Sequence, residues 1–303
     1  MNRLRTFWMA TRPFAFPASV IPALLGGVVA VTHAGVRFDL PHFLLAALGA
    51  ACVHAAANLL NDYYDYRSGV DRPGVEGASR GTLVTGRLTA HEVLIAGLIL
   101  WGVSALFALY FVLAVGPVLL PLIGIGLLLG AGYTAAPTAL KYRALGDLSV
   151  FVAFGVGITV GGYIVQAGAF SWTPVAYSVP MGLLIAAILH GNNLRDITSD
   201  REAGIKTMAM ILGPRPARIV YALLLLFAYL SVIVFAATGI AVPTALLALL
   251  SLPLALGVVR EVWPRGEHAN GRGRLVNLDM RTAQLQMAFG LLLILGTLAP
   301  VFF

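Results

Sequence analysis

Charge is what this 303-residue chain has least of. Only 11% of its residues are Asp, Glu, Lys or Arg, and 59% are hydrophobic; soluble domains carry roughly 25% charged residues. A water-soluble fold would have too little polar surface to cover its core, so the deficit points to lipid as the solvent. Cysteine is nearly absent as well. Cys52 stands alone, which excludes an intrachain disulfide and leaves the redox compartment unread. The six histidines show no spacing suited to a transition-metal site. No small-residue cleavage signal follows the first apolar run, which reads as a retained helix rather than a signal peptide. The net charge of +7 would suit nucleic acid in a soluble protein. Here the basic residues sit in short loops between apolar stretches, where they act as topology signals instead, and no nucleic-acid partner is expected.

What the chain does have is long apolar runs. About 20 apolar residues at about 1.5 Å per residue cross the hydrocarbon core. Nine such spans are expected, at 14–32, 41–60, 91–113, 117–136, 147–167, 173–191, 216–237, 240–259 and 282–302. With the N-terminus inside, every one of the 20 Lys and Arg residues except Arg37 falls at or beside an inside segment. The positive-inside rule therefore favours nine spans and a cytoplasmic N-terminus, and a cell (inner) membrane is expected, with the active site on its cytoplasmic face. The acidic residues are as one-sided: of 13, only Asp39 lies outside. Asp and Glu contribute little to topology, so their clustering calls for another cause.

Two acidic motifs supply one. The second span ends in Asn58-Leu59-Leu60-Asn61-Asp62-Tyr63-Tyr64-Asp65, followed by Asp71, and the sixth ends in Asn192-Asn193-Leu194-Arg195-Asp196-Ile197-Thr198-Ser199-Asp200. Both contain Asn-x-x-x-Asp and then a further Asp, and the two are 134 residues apart. On a helix this spacing puts one amide and two carboxylates along one stripe. The motifs end spans that are four apart in the order, so both cross in the same direction and the two halves read as a parallel pseudo-repeat. A single Asp at a helix end is usually just solvated. Two matched clusters on one face are different, because gathered carboxylates resist ionisation unless a cation neutralises them. Hard oxygen donors suit Mg²⁺, which binds through one or two carboxylates plus phosphate oxygens. Arg12, Arg67, Arg72, Lys141, Arg143, Arg195, Arg201 and Lys206 lie around the motifs, as basic groups would around a departing diphosphate. Arg260, Arg265, Arg272 and Arg274 read as topology determinants.

The stretch NLLNDYYDYRSGVD at 58–71 resembles the first aspartate-rich motif of the UbiA superfamily of membrane prenyltransferases, and GNNLRDITSDREAGIKTMAMILG from Gly191 resembles the second. SRGTLVTGRLT at 79–89, YTAAPTALKYRALGDL at 133–148, YIVQAG at 163–168 and LDMRTAQLQMAFGLLL at 278–293 extend the likeness over nearly the whole chain. Within the superfamily it most resembles the 1,4-dihydroxy-2-naphthoate polyprenyltransferase branch of menaquinone biosynthesis and its animal relative. The resemblance implies a single all-α integral membrane domain over 1–303, with nine transmembrane helices in two pseudo-repeated bundles around a central cavity. It implies Mg²⁺ as cofactor, with a polyprenyl diphosphate, an aromatic acceptor and the lipid bilayer as partners. Asp62, Asp65, Asp71, Asp196 and Asp200 would serve the metal, and Asp62, Asp65, Asp196 and Asp200 the catalysis. Asn58, Asn192, Arg12, Arg67, Tyr133, Lys141, Arg143, Arg195 and Lys206 would contact substrate. Some members place the last Asp of the first motif four residues after the second; here that position is Gly69 and the Asp is Asp71, as in the naphthoate branch.

Other readings are weaker. A transporter would carry charges deep in its spans, whereas these spans are nearly charge-free. A phospholipid head-group transferase would carry one aspartate motif, not two. Another UbiA-type acceptor (hydroxybenzoate, homogentisate, a tetrapyrrole or glyceryl phosphate) is separated only by assay.

Overall fold

The computed structural model describes residues 2–71, 82–134, 138–263 and 275–302, so Arg72, Arg265, Arg272, Arg274 and residues 135–137 lie outside the described residues. Among those described, the chain is helical throughout and contains no β-strand, only an isolated bridge between Arg143 and Lys206. The helices are α1 (Arg3–Ala10), α2 (Pro17–Ala34), α3 (Leu40–Arg67), α4 (Ala90–Ala114), α5 (Leu120–Thr134), α6 (Gly146–Val150), α7 (Ile158–Ala167), α8 (Thr173–Arg195), α9 (Ile197–Glu202), α10 (Met208–Leu212), α11 (Pro214–Ala237), α12 (Leu252–Val262) and α13 (Leu278–Leu298). A π-helical segment, Phe151–Gly157, joins α6 to α7, and a 3-10 segment, Pro243–Ser251, leads into α12.

Nine helices among the described residues are long and apolar enough to cross a membrane. Each overlaps one of the spans read from the sequence. The largest shift is at the end of the first motif, and the end of the sixth span and the start of the ninth each move by four residues. The second span continues as helix through Asp62 and Asp65 to Arg67, and the sixth runs on to Arg195. Local chemistry sets many of the boundaries. The Asp39 side chain caps α3 by accepting from the His42 amide at 2.9 Å. Thr89 and Glu92 form a reciprocal capping box on α4, satisfying two donors that the helix start leaves open. Proline occupies the first turn of α2, α3, α8 and α11, where its missing N–H costs nothing. α1 is a short helix that the hydropathy pattern does not show, since it lies before the first span.

The centre of the molecule is α8, with 67% of its apolar window buried, packed against α2, α11 and α13. In α4 and the fourth span only 11% is buried. Leu98, Ile99, Leu106, Leu113 and Leu128 project from them into what water would make a large apolar patch; lipid is the natural cover. The cavity lies on that side of α8, walled by the first six spans with Asp279 of α13, while α11 packs against α8, α13 against α8 and α2, and the Pro243–Val262 span against α11 and α13.

Small residues let α2 and α7 cross closely. A Cβ on Gly26 would collide with the Thr159 carbonyl oxygen, and one on Gly162 with that of Ala23. Backbones that touch this way rely on van der Waals packing rather than on a hydrophobic drive, which is absent within lipid. Gly162→Ala is therefore expected to destabilise the protein by about 1–3 kcal/mol, seen as a lower thermal unfolding midpoint in detergent. Gly161→Ala, whose new methyl meets open space, should leave the midpoint unchanged.

Candidate active site

Both acidic motifs open onto one cavity of about 800 Å³. Its upper end is polar, with Arg12, Asn58, Asn61, Asp65, Asp71, Tyr133, Lys141, Asn192, Asp196 and Asp200 on the wall. Below them the lining is apolar, running down α4 and α5 as far as Phe111 and Leu120. α5 alone lines it from Leu120 to Tyr133, a length of about 20 Å at the helical rise.

The carboxylates are buried and paired. Asp62 is 1% exposed and Asp65 5%. Arg12 reaches Asp62 Oδ1 through Nη2. Lys141 Nζ donates to Asp65 Oδ2 at 2.6 Å and to Asn61 Oδ1 at 3.1 Å, and the Tyr142 hydroxyl donates to Asp65 Oδ1. Arg195 donates to both oxygens of Asp196, at 2.8 and 2.7 Å, and also lies 3.4 Å from Asp279. Each of these three acids thus has a cation beside it, which repays part of the cost of removing charge from water. Burial, then the charge of Asp65, raises the Tyr142 phenol pKa, so Tyr142 stays a donor. Burial lowers the Arg12 pKa, but the charges of Asp62, Asp65 and Asp71 outweigh it and the net shift is upward.

Asp200 differs: the Thr207 hydroxyl donates to it at 3.2 Å. Burial, and then the neighbouring Asp196, push its pKa up to about 7. Lys141 and Asp65 also act on it electrostatically, so the two motifs are in contact through their fields. Backbone bonds tie them further. Ala144 N donates to Lys206 O at 2.7 Å and Lys206 N to Tyr142 O at 3.3 Å, clipping the Lys141 loop to the chain that follows the second motif. That loop is tightly bent, with Ala139 and Ala144 both at positive φ, as is Arg12. Such backbone persists in non-glycine residues only where the surroundings enforce it.

Two sequence expectations need correcting. The first motif does lie on one helix, but the second does not: α8 stops at Arg195 and Asp196 sits at φ −95°, ψ 8° before α9 begins. The two-point grip of Arg195 on its own neighbour Asp196 accompanies this break, so Asp196 sits at the junction as the cap of α9 and Asp200 stands on α9 itself. Arg67, Arg143 and Lys206 are exposed and Arg195 is half-buried, and none of the four lines the cavity. Arg143 and Lys206 serve through their backbone, and Arg195 serves as the partner of Asp196 and Asp279. Asp62 is also set behind the lining, held by Arg12. Asn58 lines the cavity and donates to Thr11 O at 2.9 Å. Arg201 is exposed.

Sequence reasoning missed Tyr142, Asn61 and Asp279, and the pair formed by Asp147 with the buried His190 at 2.7 Å. Tyr142 lies between the two basic residues singled out in its loop, and Asp279 opens the C-terminal run quoted for the resemblance; neither spacing marks a role.

The donor set fits a hard divalent cation. Asp62 Oδ2 and Asn192 Oδ1 are buried with no hydrogen-bond partner, a costly state that a bound cation would relieve. Among the described residues no group of three His, Cys, Asp or Glu side chains is placed to hold a metal ion by itself; Mg²⁺ binds through one or two carboxylates and completes its shell with phosphate oxygens and water.

The UbiA prenyltransferase family model matches residues 19–299, and the chain belongs to that family: it is a multi-pass membrane enzyme that transfers prenyl groups. UbiA prenyltransferase domain-containing protein 1 of Xenopus tropicalis is 36% identical over 302 residues, covering 99% of this chain and 84% of the relative. The protein of the same name from Mus musculus is 36% identical over 303 residues, with 99% and 86% covered. A UbiA homologue from Aeropyrum pernix K1 shares the fold at TM-score 0.66 and 19% identity over 99% of each chain. So does a UbiA homologue from Archaeoglobus fulgidus bound to GPP and Mg²⁺, at TM-score 0.61 and 19% identity, covering 95% of this chain and 99% of that one.

The raised pKa of Asp200 gives a test of whether it ligates a cation. A carboxyl raised from 3.8 to about 7 holds its proton more tightly folded than unfolded. The metal-free protein therefore loses stability as pH rises across that interval, while a cation needs the ionised form. The rise in unfolding midpoint on adding Mg²⁺ should be small at pH 6 and larger at pH 8. An equal rise at both would exclude Asp200 as a ligand.

Proposed function

We propose that this enzyme transfers a polyprenyl group from a polyprenyl diphosphate to an aromatic acceptor, 1,4-dihydroxy-2-naphthoate, in a Mg²⁺-dependent step of menaquinone-type quinone biosynthesis. The observation that carries the reading is one cavity with two acidic motifs at its polar end and an apolar depth below. A diphosphate needs the first and a prenyl chain the second. The homologue of like fold that was solved with GPP and Mg²⁺ supports the same substrate class, and the quoted motif stretches support the naphthoate branch.

Asp62, Asp65, Asp71, Asp196 and Asp200 would hold Mg²⁺, with Asn58 and Asn192 beside them. When bound, Mg²⁺ neutralises charge that builds on the leaving diphosphate. Lys141, on Asp65 and Asn61 at the cavity wall, and Arg12 add positive charge where that group departs. Tyr133 closes the wall beside them. The allylic C–O bond ionises, the apolar walls keep water from the cation, and an electron-rich carbon of the acceptor forms the new C–C bond. With dihydroxynaphthoate, the ring carboxylate leaves as CO₂. The aspartates hold and orient; none is the nucleophile. Arg67, Arg143 and Lys206 supply an electropositive rim at the inner face. The mouth faces the cytoplasm and the membrane is a cell (inner) membrane, a reading that rests on the one-sided Lys and Arg distribution.

A prenyl-transfer assay in nanodiscs tests this, with geranylgeranyl or farnesyl diphosphate, dihydroxynaphthoate, and Mg²⁺ against EDTA. The expected product is prenylated, decarboxylated and absent with EDTA. Asp65→Asn and Asp196→Asn should each lower kcat at least about a hundredfold while leaving the protein folded; retained turnover in both would sink the proposal. Diphosphate release with only a different acceptor would keep the reaction class and discard the branch. For orientation, a Cys52→Ser background carrying Ser68→Cys should react with an impermeant thiol reagent from the cytoplasmic side only, and one carrying Ser171→Cys from the opposite side only.

A further inference from the structure

His54 is a buried polar side chain that the transfer described above leaves unused. It lies on α3 one turn before Asn58 and two before Asp62, about 12 Å along the axis from Asp62 toward the membrane interior. It lines the same cavity, where Ala18, Phe154, Ile185 and Ile188 make the surrounding wall apolar. The 134-residue offset that superposes Asp62 on Asp196 superposes His54 on Ile188. The two halves therefore match at the acids and differ in chemistry here.

The hydrogen bonds around the ring point to one tautomer. Ser19 is fully buried, and its hydroxyl lies 3.0 Å from Phe16 O as a donor. With that proton given to Phe16, its Oγ, 3.1 Å from His54 Nδ1, has only lone pairs to offer that nitrogen. In this arrangement Nδ1 carries the proton and Nε2 of the neutral ring is an acceptor. Nε2 has no partner among the described residues and is not sealed from the cavity. Phe16 and Phe154 pack on the ring with centroids 5.8 and 4.9 Å away, so its orientation is held on both sides. A lone acceptor in an apolar wall, beside an aromatic face, complements a ring that bears a hydroxyl group.

We infer that His54 Nε2 binds the aromatic acceptor by accepting a hydrogen bond from one of its ring hydroxyls, with the Phe154 ring packing alongside. The bond orients the ring and raises electron density at the carbons ortho and para to that hydroxyl, where the new C–C bond forms. His54 makes and breaks no covalent bond, and Ser19 is a positioning residue that sets its tautomer. The inference rests on the aromatic-acceptor reading above.

The test uses the full chain in nanodiscs with Mg²⁺, geranylgeranyl diphosphate, and either dihydroxynaphthoate or its two mono-O-methyl ethers. For the wild type, methylating the hydroxyl that His54 receives should raise the acceptor KM about tenfold or more, with the other ether little changed. His54→Phe should raise the KM for dihydroxynaphthoate by a similar factor, abolish the discrimination between the ethers, and leave the KM for the diphosphate unchanged. His54→Gln, whose amide oxygen can accept, should recover part of the discrimination. An unchanged acceptor KM in His54→Phe, discrimination that persists in it, or an equal rise in both KM values overturns the inference while the acceptor reading stands. A wild type that prenylates no aromatic acceptor overturns both.

Discussion

Everything at the polar end of this cavity depends on one constraint: carboxylates gathered out of water must be given positive charge. Asp62 takes it from Arg12, Asp65 from Lys141, and Asp196 from Arg195. The partners come from three different parts of the chain, so satisfying the acids draws together the segment before the first span, the loop after the fourth and the break after the sixth. Asp200 is left with a hydroxyl instead of a cation, and burial beside Asp196 raises its pKa to about 7. It thus lacks the cation that the other three acids have, in a place where divalent ions would supply positive charge. The same low dielectric that makes the shortage costly makes each restored contact strong.

The apolar part of the protein solves a different problem. α8 buries itself among α2, α11 and α13, and the close crossing of α2 and α7 stiffens the wall behind the cavity. α4 packs closely on α3 but, like α5, leaves its outer face to lipid. The result is a firm wall on one side of the cavity and a thin one on the other. A long apolar substrate that is itself dissolved in the bilayer suits such asymmetry.

Much of this was legible in the sequence because hydropathy and charge placement act over many residues at once. Nine spans and the shared side of the acids follow from sums that tolerate local error. The motifs were legible because their spacing is helical over at least the first four residues of each. What failed to show was local. Nothing in the residue types at Arg195 and Asp196 says that the helix breaks between them, since an adjacent Arg and Asp occur in continuous helices too. Arg143 and Lys206 read as phosphate contacts because a basic side chain near an acid motif usually points at it; here their backbones make the bridge and their side chains stay outside. Tyr142 and Asp279 escaped because a contact across 77 residues, or between α13 and the end of α8, leaves no trace in spacing.

The pairing of Asp65 with Lys141 also bears on how the protein is made. The two residues are 76 positions apart, with α4 and α5 between them. At a synthesis rate of about 5–20 residues per second, Lys141 emerges roughly 4–15 s after Asp65. Asp62 meets no such delay, because Arg12 precedes it. During that interval the second span holds an acid near its inner end without its eventual counter-ion, which favours keeping that end in the aqueous interface until the loop after the fourth span arrives. The order of the chain thus makes closure of the polar site wait until at least the first four spans have been made.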